Sequence, residues 1–308
     1  MFQKVLVPTD FSRYAAKMTQ CIGSMPGVRE VVLLHIVDAS NPMSIEKTGW
    51  SYDSLIDEAK ARLEDEMKHL EDKGLIVKTA LKVIIEPMTG ADGVDMKNLE
   101  PRSDVVHIDG GTIGDAIQKT ADEEKVSLVV MGAQGKSLVE GILLGSVSAD
   151  VLRHGRTNLI IVRYNILKDV GSNSFKNPFS NMFSNVLVPT DFSASAEEAI
   201  SLVKGLEFPE KIALANVISK GKEIDEAGAK LNSIRKELAD KGADVTVHVL
   251  EGDPAKEIID LAKKTDSTLI IMSSQGKGWM KQIRVGSTTF DVARMAPIPV
   301  MVVKQSKP

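Results

Sequence analysis

The sequence predicts an α/β protein built from two doubly wound parallel-sheet domains of five strands each, the second a copy of the first. Three observations carry that expectation. Residues 5–12 read VLVPTDFS, and residues 186–193 read the same at an offset of 181. Short β-branched runs alternate with amphipathic stretches through both halves, as in a sheet covered by helices on both faces. A glycine-rich segment, Met131 to Ser148, stands between a strand and a helix and returns in altered form from Met272.

The repeat sets the domain organisation. MGAQGK from Met131 aligns with MSSQGK from Met272 at an offset of 141, as do Gly145-Ser146 with Gly286-Ser287 and Ile161-Val162 with Val302-Val303. The fall in offset from 181 to 141 leaves 40 extra residues in the first copy. Lys73-Gly74 aligns with Lys241-Gly242 at 168, which assigns 13 of them to a stretch near 41–50 and the other 27 to the interval between Lys82 and Gly111. This second insertion, near 86–110, carries Pro87, Gly90, Gly93 and Pro101 and reads as a surface excursion rather than new core. The expected organisation is a first domain at 1–164, a linker at 165–184 rich in Asn and Ser, and a second domain at 185–308. Phe175, Phe179 and Phe183 recur every fourth residue, so part of the linker is expected to lie as a helical turn against a domain.

The elements follow in order. Val5 to Pro8 is a short apolar strand with Thr9 and Asp10 at its end. Asp10 and Ser12 are good N-cap types, and a helix through Ala15, Ala16, Met18 and Ile22 starts there. Val31 to Val37 is an unbroken apolar run, as in a strand covered on both faces. Leu55, Ala59, Leu63, Met67 and Leu70 share one face of a second helix that stops by Gly74. A strand is expected near Val77 to Ile85, a helix from Gly114 to Glu124, a strand at Leu128 to Met131, a helix at Ser146 to Arg153 and a final strand at Leu159 to Val162. The second half gives strands at Val186–Val188, Ile212–Val217, Val245–Leu250, Leu269–Met272 and Val300–Val303. Ligands of such sheets bind beyond the carboxyl ends of the strands, where the strand order reverses. The turns after Val7 and Met131 meet there if the first and fourth strands are neighbours. The final strands are bare edges that need cover.

Composition narrows the function. A net charge of −4 supplies no global field toward nucleic acid or an anionic membrane. No apolar run approaches the ~20 residues of a membrane helix. Neither kind of partner is expected. The single cysteine, Cys21, permits no intrachain disulfide and suits a reducing cytosol. Among apolar neighbours it reads as a small buried hydrophobe. The N-terminus runs straight into a strand, so no signal peptide is expected and the protein is placed in the cytoplasm. His35 reads as structural. His69, His107, His154 and His248 lack metal-ligand spacing, so no metal ligand is assigned. No Ser-His-Asp or Cys-His arrangement can be argued from residue order, so no catalytic residue is assigned either.

The chemistry-bearing segment is MGAQGKSLVEGILLGSVS. Gly132 and Gly135 are three apart, and after nine intervening residues Gly145-Ser146 open a helix. Glycine lets backbone approach a ligand closely. Successive N–H groups form an anion-binding concavity, and a helix N-terminus presents unpaired donors to a phosphate. The Ser146 hydroxyl adds one more. Two other phosphate motifs fail. Gly135-Lys136-Ser137 ends like a P-loop, but Val130 stands where its first glycine belongs, and the first strand-helix turn has no G-x-G-x-x-G.

At these residues the chain resembles the universal stress protein family in its tandem two-domain form. The family's nucleotide-binding subgroup carries G-x2-G-x9-G-[ST], which Gly132, Gly135, Gly145 and Ser146 match at every position. VLVPTD at the first strand and LLHIVD at the second match its other landmarks. The resemblance implies an adenine nucleotide α-hydrolase-like fold, with adenine between the ends of the first, second and fourth strands. It implies Pro8, Thr9, Asp10 and Ile36 on the adenine side, Met131 and Gly132 at the ribose, and Gly135, Gly145, Ser146 and Val147 at the phosphates. In the second half the matching positions are Thr190, Asp191, Val217, Met272, Gly276, Gly286, Ser287 and Thr288. There Ser273 replaces Gly132 and adds bulk next to the sugar. The implied ligand is ATP or AMP, with Mg2+ accompanying ATP, and the implied role is stress-response signalling. Pairing of the final strands is implied as well, making an intrachain pseudo-dimer; a homodimer of whole chains is also compatible with the duplication. Two other readings compete: a slow ATP-hydrolysing or adenylating enzyme, and a ligand-free dimerisation scaffold. The loop holds one cation, Lys136, one acid, Glu140, and no arginine, which is little for phosphoryl transfer. Arg153 and Arg156 follow too far along the helix to be placed at the phosphates from sequence. Asp10 and Asp191 serve equally well as helix caps.

Overall fold

The computed structural model describes residues 2–39, 51–85, 103–134, 144–167, 177–207, 209–219, 224–240, 242–276 and 285–305. The first half runs β1 (Lys4–Pro8), α1 (Arg13–Ile22), β2 (Glu30–Asp38), α2 (Tyr52–Glu71), β3 (Ile76–Ile85), β4 (Val106–Asp109), α3 (Ile113–Glu123), β5 (Leu128–Gly132), α4 (Ser146–His154), β6 (Asn158–Val162) and the short α5 (Tyr164–Leu167). The second runs β7 (Asn185–Pro189), α6 (Ala194–Lys204), β8 (Lys211–Ile218), α7 (Ile224–Ala239), β9 (Asp244–Glu251), α8 (Pro254–Lys264), β10 (Leu269–Ser273), α9 (Ser287–Met295) and β11 (Val300–Val303).

All eleven strands form one sheet, in the order β4-β3-β2-β1-β5-β6-β11-β10-β7-β8-β9. Within each half the pairings are parallel. The halves join through the antiparallel pair β6–β11, with Val300 opposite Ile161, Met301 opposite Ile160 and Val302 opposite Leu159. The two edges that the sequence leaves bare therefore cover one another, as an internal pseudo-dimer. In each half the chain leaves its first strand in one direction across the sheet and returns on the other side: β1 lies between β2 and β5, and β7 between β8 and β10. Those are the switch points.

One element differs from expectation. The first half has a sixth strand, β4, paired in parallel with β3 from Lys82↔Val106 to Ile85↔Asp109. It lies inside the insertion read as a surface excursion. Val106 is half exposed, so β4 is an edge strand too short and too open to leave an alternating pattern. The insertion's Pro87, Gly90, Gly93 and Pro101 lie outside the described residues.

The core is two large apolar layers, one on each face of the sheet, with a smaller cluster of Val37, Ala39, Ile56, Ala59 and Val83 in the first half. Val5 and Val7 face one layer and Leu6 the other; Leu128 and Val130 alternate in the same way with Val129 and Met131, and Met301 and Val303 with Val300 and Val302. Strict period-two burial on both faces is what parallel strands under two helix layers require. Each fully buried aliphatic side chain contributes about 1.5–3 kcal/mol. The end of the interdomain segment enters this core: Phe179, Met182 and Phe183 are fully buried, and the Phe183 ring stacks on Phe2 with centroids 6.4 Å apart. Asn177 Nδ2 donates to the Cys21 carbonyl at 3.2 Å. Phe175 lies outside the described residues. Cys21 is buried, and that burial pushes its thiol up to about 11, so it is not a thiolate at neutral pH. Among the described residues no helix is long and apolar enough to cross a membrane.

Candidate functional site

The turn after β1 is held almost entirely by its own atoms. Thr9 N donates to Leu34 O at 2.8 Å. The Thr9 hydroxyl accepts from Phe11 N at 3.1 Å, and Asp10 Oδ1 accepts from Ser12 N at 3.0 Å. Phe11 is thereby held at φ 58°, a left-handed conformation that costs of order 1–3 kcal/mol in a bulky residue. The second half repeats every part: Thr190 N to Ala215 O at 2.8 Å, Phe192 N to Thr190 Oγ1 at 3.0 Å, Ser193 N to Asp191 Oδ1 at 3.0 Å, and Phe192 at φ 60°. The helix caps are Ser12 and Ser193, whose hydroxyls accept from Ala15 N and Ala196 N. Asp10 and Asp191 brace the turn ahead of the cap instead. His35 Nδ1 lies 2.8 Å from Thr9 O, and Asn216 Nδ2 donates to Thr190 O at 2.7 Å. The histidine thus serves as a strand-to-strand brace that an amide replaces in the second copy.

Behind the first turn lies a polar pocket that the second half lacks. Glu66 of α2 accepts from the hydroxyls of Thr9 at 3.2 Å and Thr19 at 3.3 Å. Burial raises its carboxyl above the usual range, against the pull of those two hydrogen bonds. At an offset of 168 its counterpart is Ile234.

The second strand-helix turn is also built twice. Gly145 N donates to Ala133 O at 2.7 Å and Gly286 N to Ser274 O at 2.8 Å. Ser148 Oγ donates to Gly132 O at 2.7 Å and Thr289 Oγ1 to Ser273 O at 2.8 Å. These bonds tie the starts of α4 and α9 to the ends of β5 and β10. Among the described residues five helices carry a side-chain cap, from Ser12, Ser51, Thr112, Ser193 and Asp253. Helices α4 and α9 start from Gly145 and Gly286 with no side-chain cap bond, so no capping side chain takes up their first-turn N–H groups.

In the second half these turns enclose a cavity of 1560 Å³, and Thr190, Asp191, Val217, Met272, Gly276, Gly286, Ser287 and Thr288 all line it. In the first half Pro8, Thr9, Asp10, Ile36, Met131, Gly132, Gly145, Ser146 and Val147 stand at the matching ends of β1, β2 and β5 and the start of α4. Gly135, Lys136 and Lys277 lie outside the described residues.

The glycines have separable reasons. A Cβ on Gly132 would run into the Tyr14 ring, which is buried and donates its hydroxyl to Val162 O. At an offset of 181, Tyr14 becomes Ser195. The small serine leaves room for a side chain at 273, and Ser273 Oγ donates to Gln275 O at 2.7 Å. The exchange of Gly132 for Ser273 therefore has a packing cause across the sheet, which a reading confined to the ligand side missed. A Cβ on Gly276 would sit 2.5 Å from Asp191 Oδ2. Gly286 is different. Its φ of −68° suits any residue, and the nearest described atom to a Cβ there is Ser274 O at 3.8 Å.

Three lining residues come from the first half: Asp115, Arg153 and His154. Sequence order holds no signal for them, because they reach the second cavity only through the β6–β11 join. The Arg153 guanidinium lies over the Phe290 ring, 4.4 Å from its centroid. Arg163 fixes the same seam by donating to the carbonyls of Arg294 and Met295 at 3.3 and 3.0 Å. Among the described residues no group of three or more His, Cys, Asp or Glu is gathered to hold a metal ion.

Comparison with known proteins agrees with this geometry. A universal stress protein of Methanocaldococcus jannaschii is 32% identical over 158 residues, 41% of this chain and 98% of its own length. A longer universal stress protein of Mycobacterium tuberculosis is 24% identical over 297 residues, 89% of this chain and 86% of its own. The crystal structure of a universal stress protein from Archaeoglobus fulgidus superposes with a TM-score of 0.67 at 26% identity, covering 98% of this chain and 96% of that one. The model of the universal stress protein family matches twice, over residues 1–163 and 182–304. With both copies matched and the duplicated switch-point turns in place, the chain belongs to the universal stress protein family.

Proposed function

We propose that this protein binds an adenine nucleotide, ATP or AMP, at the carboxyl end of its sheet and acts as a stress-response binding and signalling protein. The observation that carries the reading is Gly286. Neither its backbone angles nor a described neighbour demands glycine, since among the described residues a Cβ there would meet Ser274 O only at 3.8 Å, beside a helix start with no side-chain cap. A ligand that packs against the backbone accounts for the missing side chain, and a phosphate is the group that uncapped helix donors hold. Ser287 and Thr288 supply N–H groups and hydroxyls there. Thr190, Val217 and Met272 line the same cavity and are assigned to the base and sugar. Mg2+ enters with ATP through the phosphates. The first half holds its nucleotide in the same way at Gly145, Ser146 and Val147. Backbone donors of this kind hold ground and transition states alike, and uniform binding lowers no barrier. A sensor is therefore the favoured role over an ATP-hydrolysing enzyme.

The test is thermal denaturation with ATP, ADP and AMP. A nucleotide at 100 times its Kd stabilises by about 2.7 kcal/mol, and the pair Gly145→Val and Gly286→Val is expected to abolish the shift. Absence of any shift in the wild type sinks the reading.

A further inference from the structure

Resting on that reading, we propose that the second cavity is a composite site, in which Arg153 of the first half grips the distal phosphates of a nucleoside di- or triphosphate bound by the second. The guanidinium sits over the face of Phe290, which leaves its in-plane N–H edge free to donate. Phe290 is three residues beyond Ser287, about 4.5 Å along the helix axis. A phosphate tail that starts on the Ser287 donors and runs toward the seam between the halves meets that edge, whereas a monophosphate ends short of it. The volume of 1560 Å³ exceeds the roughly 300–1,000 Å³ of ordinary ligand clefts, so the cavity has room for an extended tail.

Charge singles out Arg153 among the lining cations. Lys230 is paired with Glu226 at 2.6 Å and His154 with Asp150 at 2.6 Å, while no carboxylate among the described residues pairs with Arg153. The lining acids are engaged as well: Asp115 accepts from Thr112, Asp291 pairs with Arg294 at 3.0 Å and Asp191 accepts from Ser193. The arrangement is not mirrored. At the offset of 141, Arg153 corresponds to Arg294, which its own helix holds, and Phe290 corresponds to Ala149, which has no ring to support a guanidinium. The distal-phosphate grip belongs to the second cavity alone.

The experiment uses the full chain, photolabelled with azido-AMP and competed with ATP or AMP, the label on second-half peptides being read by mass spectrometry. Arg153→Met keeps an aliphatic stem over Phe290 and removes the charge. The expected result is about a tenfold loss of ATP competition, or about 1.4 kcal/mol, with AMP competition changed less than about twofold. Arg153→Lys is expected to recover part of the loss. Unchanged ATP competition overturns the proposal, as does an equal loss for ATP and AMP, which marks a packing role only. Label confined to the first half overturns it too. No label anywhere in the wild type overturns the nucleotide reading itself.

Discussion

Gly132 shows how a residue can match a binding motif and still be required by packing. In G-x2-G-x9-G-[ST] its role is assigned to the ligand, yet the Tyr14 ring occupies the space its side chain would need. The serine at the matching position of the second half read as a threat to binding for the same reason. A second side chain, 181 residues away from Tyr14 in the repeat, explains it. The pair makes a prediction by thermodynamic cycle. Gly132→Ser alone is expected to overpack the site and destabilise by about 1–3 kcal/mol. Tyr14→Ser alone leaves a cavity and removes one of the two hydrogen bonds to the Val162 carbonyl, which keeps the one from Ala133 N, costing about 3–5 kcal/mol. The double variant, which rebuilds the second half's solution in the first, is expected to lie at least 1 kcal/mol above the sum of the singles. Urea denaturation of the four proteins checks this, and strict additivity would refute the coupling.

Helix starts separate the structural elements from the functional ones. At α1, α2, α3, α6 and α8 the chain spends a serine, threonine or aspartate on the first-turn donors, a cap worth about 1 kcal/mol; at α4 and α9 it spends glycine. The caps at Ser12 and Ser193 were legible because Ser is a favoured type in a favoured place, although Asp10 and Asp191 competed for the role until their bonds to the turn were seen. The two uncapped starts were legible through their glycines and their spacing. The exchange between stability and binding can be tested directly. Gly286→Asp gives α9 a capping carboxylate at the positive end of its dipole, with 3.8 Å of clearance for the new Cβ. Without ligand it is expected to gain a few tenths to about 1 kcal/mol. With ATP at the second cavity it is expected to lose most of the ligand-induced stabilisation, because a carboxylate occupies and repels the phosphate position. Denaturation curves with and without ATP decide it. A variant that is less stable without ligand, or that keeps full ATP stabilisation at the second cavity, contradicts the view that α9 was left uncapped for a ligand.

At the scale of the whole molecule the sequence was most informative where physics is local and repeated. Unbroken apolar runs marked the buried strands, since burial on both faces removes the polar positions, and the duplicated VLVPTDFS marked the halves. It was least informative where an element is short or where contacts cross between copies. Strand β4 has four residues and one partner, and Arg153 meets Phe290 only after the final strands pair. The segment between the halves reads as linker from its Asn and Ser content, with its phenylalanines expected against a domain, and Phe179, Met182 and Phe183 do enter the core. The layer they join contains Phe2, Val5 and Val7 of the first half and Val186, Val188 and Met301 of the second, and the layer on the opposite face also runs through both. The sheet is continuous at β6–β11 and the two main apolar layers run through both halves, so among the described residues neither layer divides at the join between the halves. The two halves are therefore expected to unfold as one cooperative unit. Phe183→Ala, at a fully buried ring stacked on Phe2, is expected to cost about 3–5 kcal/mol. Amide exchange under native conditions reads where that loss is felt. If the molecule is one unit, β1 and β7, at the centres of their halves, lose protection by the same factor. If β1 exchanges faster while β7 keeps its wild-type protection, the halves are independent domains that merely touch, and the continuous sheet carries no cooperativity between them.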